Sequence, residues 1–415
     1  MSGPTAPANA PTDRLQDGIY FRHGKTPGQC YRLLLLNVDP GTTPNDARAA
    51  IIAVWQTLQD LSRGVARDLQ PTRPSDPKIS VPVASLTCLL GFGARLFNPD
   101  LHVPRLMDPA LRPWELVALR RPGAPFPNLP WALEEHQKPG ETDLAIQFIA
   151  ETELAVNLAV VEVWKLIVDR GLPLKIVTFH GGFARLDGRS WIDFHDGVNN
   201  MEAGEERRSA IEAVIADPPW MEGGTYMGFF RLAVDLASWR LLPREHQEIL
   251  VGRDKLTGCP LEKVNRGPDG ELVPVTPVGC PVSGTEPGSL RPEDREVPRV
   301  GDTLVGASHI HRSNHNRGAP NTDANNRIFR QGYEFLESPR EGELSLGLNF
   351  VSFQRDLRRL KNSLRLPDWL GDVNFGGQVS PKPGEPAPIK LISAITGGFY
   401  AVPPKEEPFP GAEIM

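Results

Sequence analysis

Apolar residues in the first 185 positions of the chain fall into two kinds of run. Two segments, 43–67 and 154–170, repeat apolar residues every three or four positions, which is typical of helices that bury one face. Short dense apolar runs, typical of buried strands, occupy 30–38, 86–96, 144–149 and 174–179. The resulting order, β-α-β-β-α-β, predicts the split βαβ unit of a ferredoxin-like fold.

The second half of the chain partly repeats this order. Helices are expected at 238–251, with Ser238 as the cap and Pro243 as an interruption, and at 355–366, before Pro367. Segment 257–300 is rich in proline, glycine and charge with little periodicity, so we expect a long insertion loop. Strands are predicted at 224–234, 308–312, 327–335, 346–353 and 398–402. The expected fold class is therefore α+β, with two ferredoxin-like halves, each an antiparallel sheet with flanking helices.

A length of 415 residues is enough for two domains. We expect the boundary between the domains near 181–190. The predicted divisions are a disordered lead-in at 1–14, an N-terminal domain at 15–185, a C-terminal domain at 186–404 and a tail at 405–415.

Composition narrows the function classes. A net charge of −6 argues against nucleic-acid binding, and no apolar run approaches the roughly 18 residues of a membrane helix. The first eleven residues lack a basic segment followed by an apolar one, so we expect a cytoplasmic protein.

The spacing of the cysteines includes no CxxC, which argues against a zinc knuckle, an iron–sulfur cluster and covalent haem. Free thiols are favoured, with pairing left as the alternative, for the four cysteines Cys30, Cys88, Cys259 and Cys280.

The basic stretch from position 308 to 314 contains the first candidate for chemistry. His309 follows three small residues, which leaves room for a flat ligand, and its neutral imidazole suits an axial bond to haem iron. The plainer interpretation is a half-buried histidine whose ring is satisfied by the backbone. A third is a zinc or iron site, because His309 and His311 would share one face of a strand and His315 follows.

Two further residues suit the other side of a haem. Asp196 lies in a turn-like segment, where a carboxylate could take a proton from the inner oxygen of bound H2O2 and return it to the outer one, so that water leaves. Arg330, 21 positions after His309, supplies a permanent positive charge for the departing oxygen. Without a haem, Asp196 is a turn aspartate and Arg330 a surface or structural arginine.

Together these segments resemble the dye-decolourising peroxidase family of haem peroxidases over about 15–404. The most specific matches are 194–197, 308–317, 327–333 and 396–403. The resemblance implies a fold of the dimeric α+β barrel superfamily type and a non-covalent haem b in the C-terminal half. It also implies an enzyme that uses H2O2 to oxidise bulky phenolic or dye-like donors in one-electron steps. By position, His309 matches the proximal iron ligand, Asp196 the distal aspartate and Arg330 the distal arginine.

The chain departs from the family pattern at several positions. Asp193 replaces the first glycine of the family's GxxDG motif, and it either adds a second carboxylate to the peroxide site or points away. Glu334 stands where the family often has proline. The acidic partner of the proximal histidine cannot be placed; the nearest acids before the last strand are Glu385 and Asp372.

These departures leave two alternatives to the peroxidase. One is a protein that binds, stores or senses haem with weak peroxidase activity, and the other is a specialised haem oxidase or oxygenase of one metabolite. The partners implied by the peroxidase interpretation are H2O2 and an aromatic electron donor, with a homodimer left open.

Overall fold

Eight antiparallel strands form a closed barrel in this computed structural model. The structure describes residues 14–19, 28–117, 141–198, 200–201, 203–214, 218–278, 280, 301–313, 327–340, 343–364 and 391–415. The barrel strands are β1 (Cys30–Val38), β2 (Thr87–Gly93), β3 (Leu144–Ala150), β4 (Leu174–Phe183), β5 (Thr225–Val234), β8 (Phe329–Arg340), β9 (Glu343–Gln354) and β10 (Ile392–Val402). Around the barrel they follow the order β1-β3-β2-β10-β5-β9-β8-β4, so each half of the chain contributes four adjacent strands.

Two long helices cover the four N-terminal strands. Helix α1 (Pro44–Ser62) begins where the Thr43 hydroxyl accepts a hydrogen bond from the Asp46 amide, and α2 (Glu153–Arg170) ends at Gly171 in the left-handed region. Their apolar faces pack on the outer face of the strands in one core, which includes Leu34, Leu36, Ile51, Leu58, Ile146 and Val163. The predicted order of elements in this half is confirmed.

The C-terminal strands carry shorter helices. They are α3 (Glu205–Ile211), α4 (Leu236–Arg240), α5 (Arg244–Val251), α6 (Thr303–Gly306), α7 (His309–Arg312) and α8 (Leu357–Leu364). The predicted single helix at 238–251 is wrong, because it is divided at Pro243 into α4 and α5. Asp235, rather than Ser238, caps α4 by accepting a hydrogen bond from the Ser238 amide at 2.9 Å.

Three further expectations need correction. Segment 308–312 is the helix α7 and not a strand. The described part of 257–300 contains a two-stranded hairpin, β6 (Lys263–Arg266) and β7 (Leu272–Val275), where a loop was expected. Cys259 and Cys280 form a disulfide, because the hairpin pairs the segments that flank them and brings their Cα atoms to 6.2 Å. Cys30 and Cys88 are buried free thiols, as expected.

Strand β8 has one face inside the barrel and one outside. Phe329 and Tyr333 point inward, and the Tyr333 ring stacks on that of Tyr31 with 4.5 Å between centroids. Because side chains alternate along a strand, the positions between them, such as Arg330 and Gly332, lie on the outer face. No helix in the described ranges is long and apolar enough to span a membrane.

Candidate functional site

A tight loop at 188–200 presents Asp196 at the surface of the C-terminal half. Its two sides are held by a β-bridge between Arg189 and His195 and by the Asp196 amide, which donates to the Gly188 carbonyl at 2.9 Å. One carboxylate oxygen of Asp196 accepts a hydrogen bond from the Gly197 amide at 2.7 Å. Asp193 adopts φ 66°, a left-handed conformation that aspartate tolerates better than most residues. The carboxylate of Asp196 is thus fixed at a turn and exposed.

This loop docks on the outer face of β8. The side-chain amide of Asn200 donates to the Arg330 carbonyl at 2.7 Å, and its oxygen accepts from the Arg330 amide at 3.2 Å. A Cβ atom built on Gly332 would lie only 2.9 Å from Oδ2 of Asp196. The Asp196 carboxylate therefore sits over Gly332, next to Arg330 on the same strand face. The structure brings these two predicted residues together.

A second carboxyl group near Asp196 belongs to Glu334, which the sequence identified only as a departure from the family pattern and not as part of the site. It lies on the same face of β8 as Gly332 and is only 5% exposed. Burial, followed by the nearby charge of Asp196, raises the pKa of Glu334 to about 8. Its spacing of two residues from Gly332 and four from Arg330, which places all three on one strand face, was the signal that could have revealed this.

The question about Asp193 is resolved by its surroundings. Its carboxylate is 63% exposed and lies 3.6 Å from Nζ of Lys255. The Asp193 carbonyl accepts a hydrogen bond from Arg189 at 2.6 Å, which ties this part of the loop to the segment around Lys255. The acidic neighbour of Asp196 on the β8 face is consequently Glu334.

A second arginine near Arg330 was also missed. Arg253 is buried, and its guanidinium donates to the Gly258 carbonyl at 2.8 Å. Burial and then the charge of Arg330 lower the pKa of Arg253 to about 10. The positive side chains of Arg253 and Arg330 therefore lie close enough to repel each other.

His309 is the first residue of the short helix α7 and is half-buried. Its helix packs against the end of α5, because a Cβ atom at Gly252 would lie 2.3 Å from Oγ of Ser308. Gly252 adopts φ 91°, which also favours glycine. Gly252 contacts the start of the His309 helix, and the next residue, Arg253, lies near Arg330. One short segment therefore links the His309 helix to Arg330.

The rival metal cluster at His309, His311 and His315 is not supported. Residues two apart on a helix point to different sides, and Nδ1 of His311 lies 2.9 Å from Oγ of Ser308. His315 falls outside the described residues. Within the described ranges, no group of three or more histidine, cysteine, aspartate or glutamate side chains could hold a metal ion.

The residues present fit a haem better than a multi-ligand metal centre. His309 offers one imidazole, which is the usual single protein donor to a haem iron. A Cβ atom at Gly306, the last residue of the preceding helix α6, would meet no described atom within 4 Å. The acids considered as partners of His309, Glu385 and Asp372, lie outside the part of the chain that the structure describes.

Apolar side chains from β9 and β5 continue the outer face beside Gly332. Cδ1 of Leu348 lies 3.2 Å from the Cβ position of Gly332, and the rings of Phe350 and Phe230 are 6.3 Å apart. Both rings are buried in the main hydrophobic core, so this part of the outer face is covered by other side chains. The sequence reasoning identified the β9 strand but not these side chains.

A family model and several curated proteins match part of the chain. The family model "Dyp-type peroxidase, C-terminal" matches residues 187–407. A dye-decolorizing peroxidase of Brevibacterium linens is 26% identical over 188 residues, 45% of this chain and 46% of that protein. A deferrochelatase of Shigella flexneri is 26% identical over 230 residues, 52% of this chain and 48% of that protein. The chain thus matches about half the length of these curated relatives.

Solved structures show the same fold over almost the whole chain. A DyP-type peroxidase from Cellulomonas bogoriensis superposes with a TM-score of 0.67 at 19% identity, covering 97% of this chain and 96% of the other. A DypB variant from Rhodococcus jostii in complex with heme superposes with a TM-score of 0.56 at 19% identity, covering 94% and 96%.

Proposed function

We propose that this chain, which belongs to the Dyp-type peroxidase family, is a haem b peroxidase that uses H2O2 to oxidise bulky phenolic or dye-like donors in one-electron steps. The observation that supports it most directly is the placement of the Asp196 carboxylate over Gly332, beside Arg330. A carboxylate and a guanidinium on one strand face are the groups that proton transfer and charge stabilisation at a peroxide require.

In this proposal His309 holds the iron of a non-covalent haem b. Bound haem would supply the metal centre at which the peroxide O–O bond is cleaved and from which the donor is oxidised. Asp196 takes the proton from the inner oxygen of H2O2 and returns it to the outer oxygen, so that water and not hydroxide leaves. Arg330 stabilises the negative charge that develops during this transfer.

The proposal also covers the organisation of the chain. We assign 15–185 and 186–404 to two ferredoxin-like domains, with 1–14 as a lead-in and 405–415 as a tail. The supporting observation is that, read in one direction around the barrel, the N-terminal strands follow the order β4-β1-β3-β2 and the C-terminal strands follow the equivalent order β10-β5-β9-β8. The residues assigned to haem, Asp196, His309 and Arg330, then all belong to the second domain.

The test is rapid mixing of the haem-loaded protein with H2O2. Wild type is expected to react quickly, and Asp196→Asn to react about 100-fold more slowly or worse, because its amide cannot accept the peroxide proton. Arg330→Leu should also react slowly while retaining haem. Asp193→Asn is the matched control, since its exposed carboxylate points to Lys255, and it should react like wild type. Equal rates for Asp196→Asn, Asp193→Asn and wild type would contradict the proposal.

A second candidate function is haem binding without peroxidase turnover. The similarity to proteins described as deferrochelatases favours considering it. The same mixing experiment separates the two functions: stable, bound haem with no spectral change after H2O2 would support haem handling.

A further inference from the structure

Glu334 extends the group of polar side chains on the outer face of β8. Successive residues on one face of a strand are about 7 Å apart along the chain. Arg330, Gly332 and Glu334 therefore form a row, and the Asp196 carboxylate lies over its middle member. Glu334 is buried although it carries a carboxyl group, which distinguishes it from the exposed Asp193.

The charged groups that face Glu334 come from the segment that leads into the Asp196 loop. Asp196 and Asp187 disfavour its ionised form, while Arg185 and the Trp191 backbone amide favour it. Arg185 is shared, because its guanidinium also donates to the Asp187 carboxylate at 2.9 Å. The cross-strand neighbours of Glu334 in the described strands, Phe183 and Leu348, add no charge.

Burial is the largest influence on Glu334, and its pKa is raised to about 8. At neutral pH it therefore holds a proton beside the Asp196 carboxylate. When the pH rises through this value, the proton passes to solvent and a second negative charge appears next to Asp196.

We propose that Glu334 is a positioning residue of the peroxide site: its neutral carboxyl leaves Asp196 as the acidic charge on this face, and its ionisation sets the alkaline limit of peroxide activation. The inference rests on the proposed function. As Asp196 removes the peroxide proton, negative charge develops on the oxygens, and a second carboxylate on the same face repels it. A repulsion whose free energy equals that of a one-unit change in pKa corresponds to about a tenfold loss in rate.

The experiment measures the second-order rate of the haem-loaded protein with H2O2 from acid to alkaline pH. Wild type should lose about tenfold in rate as the pH rises through about 8. Glu334→Gln keeps the shape of the side chain without the charge and should lose this alkaline decline, with a rate near that of wild type at lower pH. Glu334→Asp restores a titrating carboxyl group and should restore a decline. Asp193→Asn, the exposed-carboxylate control, should keep the wild-type profile.

A second readout needs no haem. Infrared titration of the haem-free protein should show a protonated carboxyl band that disappears near pH 8 in wild type and is absent in Glu334→Gln. Absence of that band from wild type, or pH profiles that are identical in wild type and Glu334→Gln, would overturn the assignment while leaving the peroxidase intact. If neither protein reacts with H2O2 at any pH, the proposed function itself fails.

Discussion

The Asp196 carboxylate lies directly over Gly332, and replacing this glycine by alanine tests that placement. The added Cβ atom would lie 2.9 Å from Oδ2 of Asp196 and 3.2 Å from Cδ1 of Leu348. Contacts become ordinary at 3.4 Å, so the carboxylate oxygen has to move by about half an ångström. Asp196 is exposed and is held mainly by the Gly197 amide, so its side chain gives way more easily than the strand.

The expected consequence is a loss of reactivity without a loss of stability. A misplacement of about 1 Å can cost about 100-fold in rate, so a movement of half that size should cost about tenfold in the reaction with H2O2. Replacement of glycine by alanine in a strand also reduces the freedom of the unfolded chain, which stabilises by about 0.4–1 kcal/mol and offsets the close contact. Gly332→Ala should therefore unfold at nearly the wild-type denaturant concentration.

The assay compares peroxide reaction rates and chemical denaturation for wild type, Gly332→Ala and Gly301→Ala. Gly301 is an exposed control, since a Cβ atom there would meet no described atom within 4 Å. A Gly332→Ala protein that folds and reacts with H2O2 at the wild-type rate would refute the placement of the Asp196 carboxylate over this position.

Three further predictions follow from the contacts. Asn200→Ala removes both hydrogen bonds to the Arg330 backbone, so it should lower the free energy of unfolding by about 1–3 kcal/mol and slow the peroxide reaction, as measured by denaturation and rapid mixing. Cys259→Ser opens a disulfide loop with a sequence separation of 21 and should cost about 3 kcal/mol in denaturant under oxidising conditions; no loss relative to wild type would mean the disulfide is not formed. The folded-state pKa of Glu334, about 8, lies above its ordinary value of 4.5, so its stabilising contribution is present below pH 4.5 and is lost as the pH rises to 8. Wild type should therefore lose up to about 5 kcal/mol relative to Glu334→Gln over that window, and parallel stability curves would exclude the shift.

The sequence predicted the barrel strands well because their apolar runs are dense and separated by clear turns. The run at Cys30–Val38 reappears with the same bounds as β1, and the helix expected within 43–67 is α1. Segment 308–312 was misassigned because four or five residues are too few for a helical period to be distinguished from an alternating one. The disulfide was missed because its closure depends on the pairing of β6 with β7 and not on cysteine spacing.

The candidate site was predictable only in part. Asp196, His309 and Arg330 were found from residue type and from a family resemblance, but the placement of Asp196 beside Arg330 depends on the hydrogen bonds between Asn200 and the Arg330 backbone. Glu334 was noted in the sequence only as a departure from the family pattern. Its burial beside Asp196 results from that same docking, which one sequence does not reveal.

The central claim is that His309 holds a haem iron, and the visible absorption spectrum of the haem-loaded protein tests it most directly. The account predicts a Soret band in wild type that is lost in His309→Ala and retained in His311→Ala, whose ring in the native protein contacts Ser308. Tightly bound haem with an unchanged spectrum in His309→Ala would contradict the account.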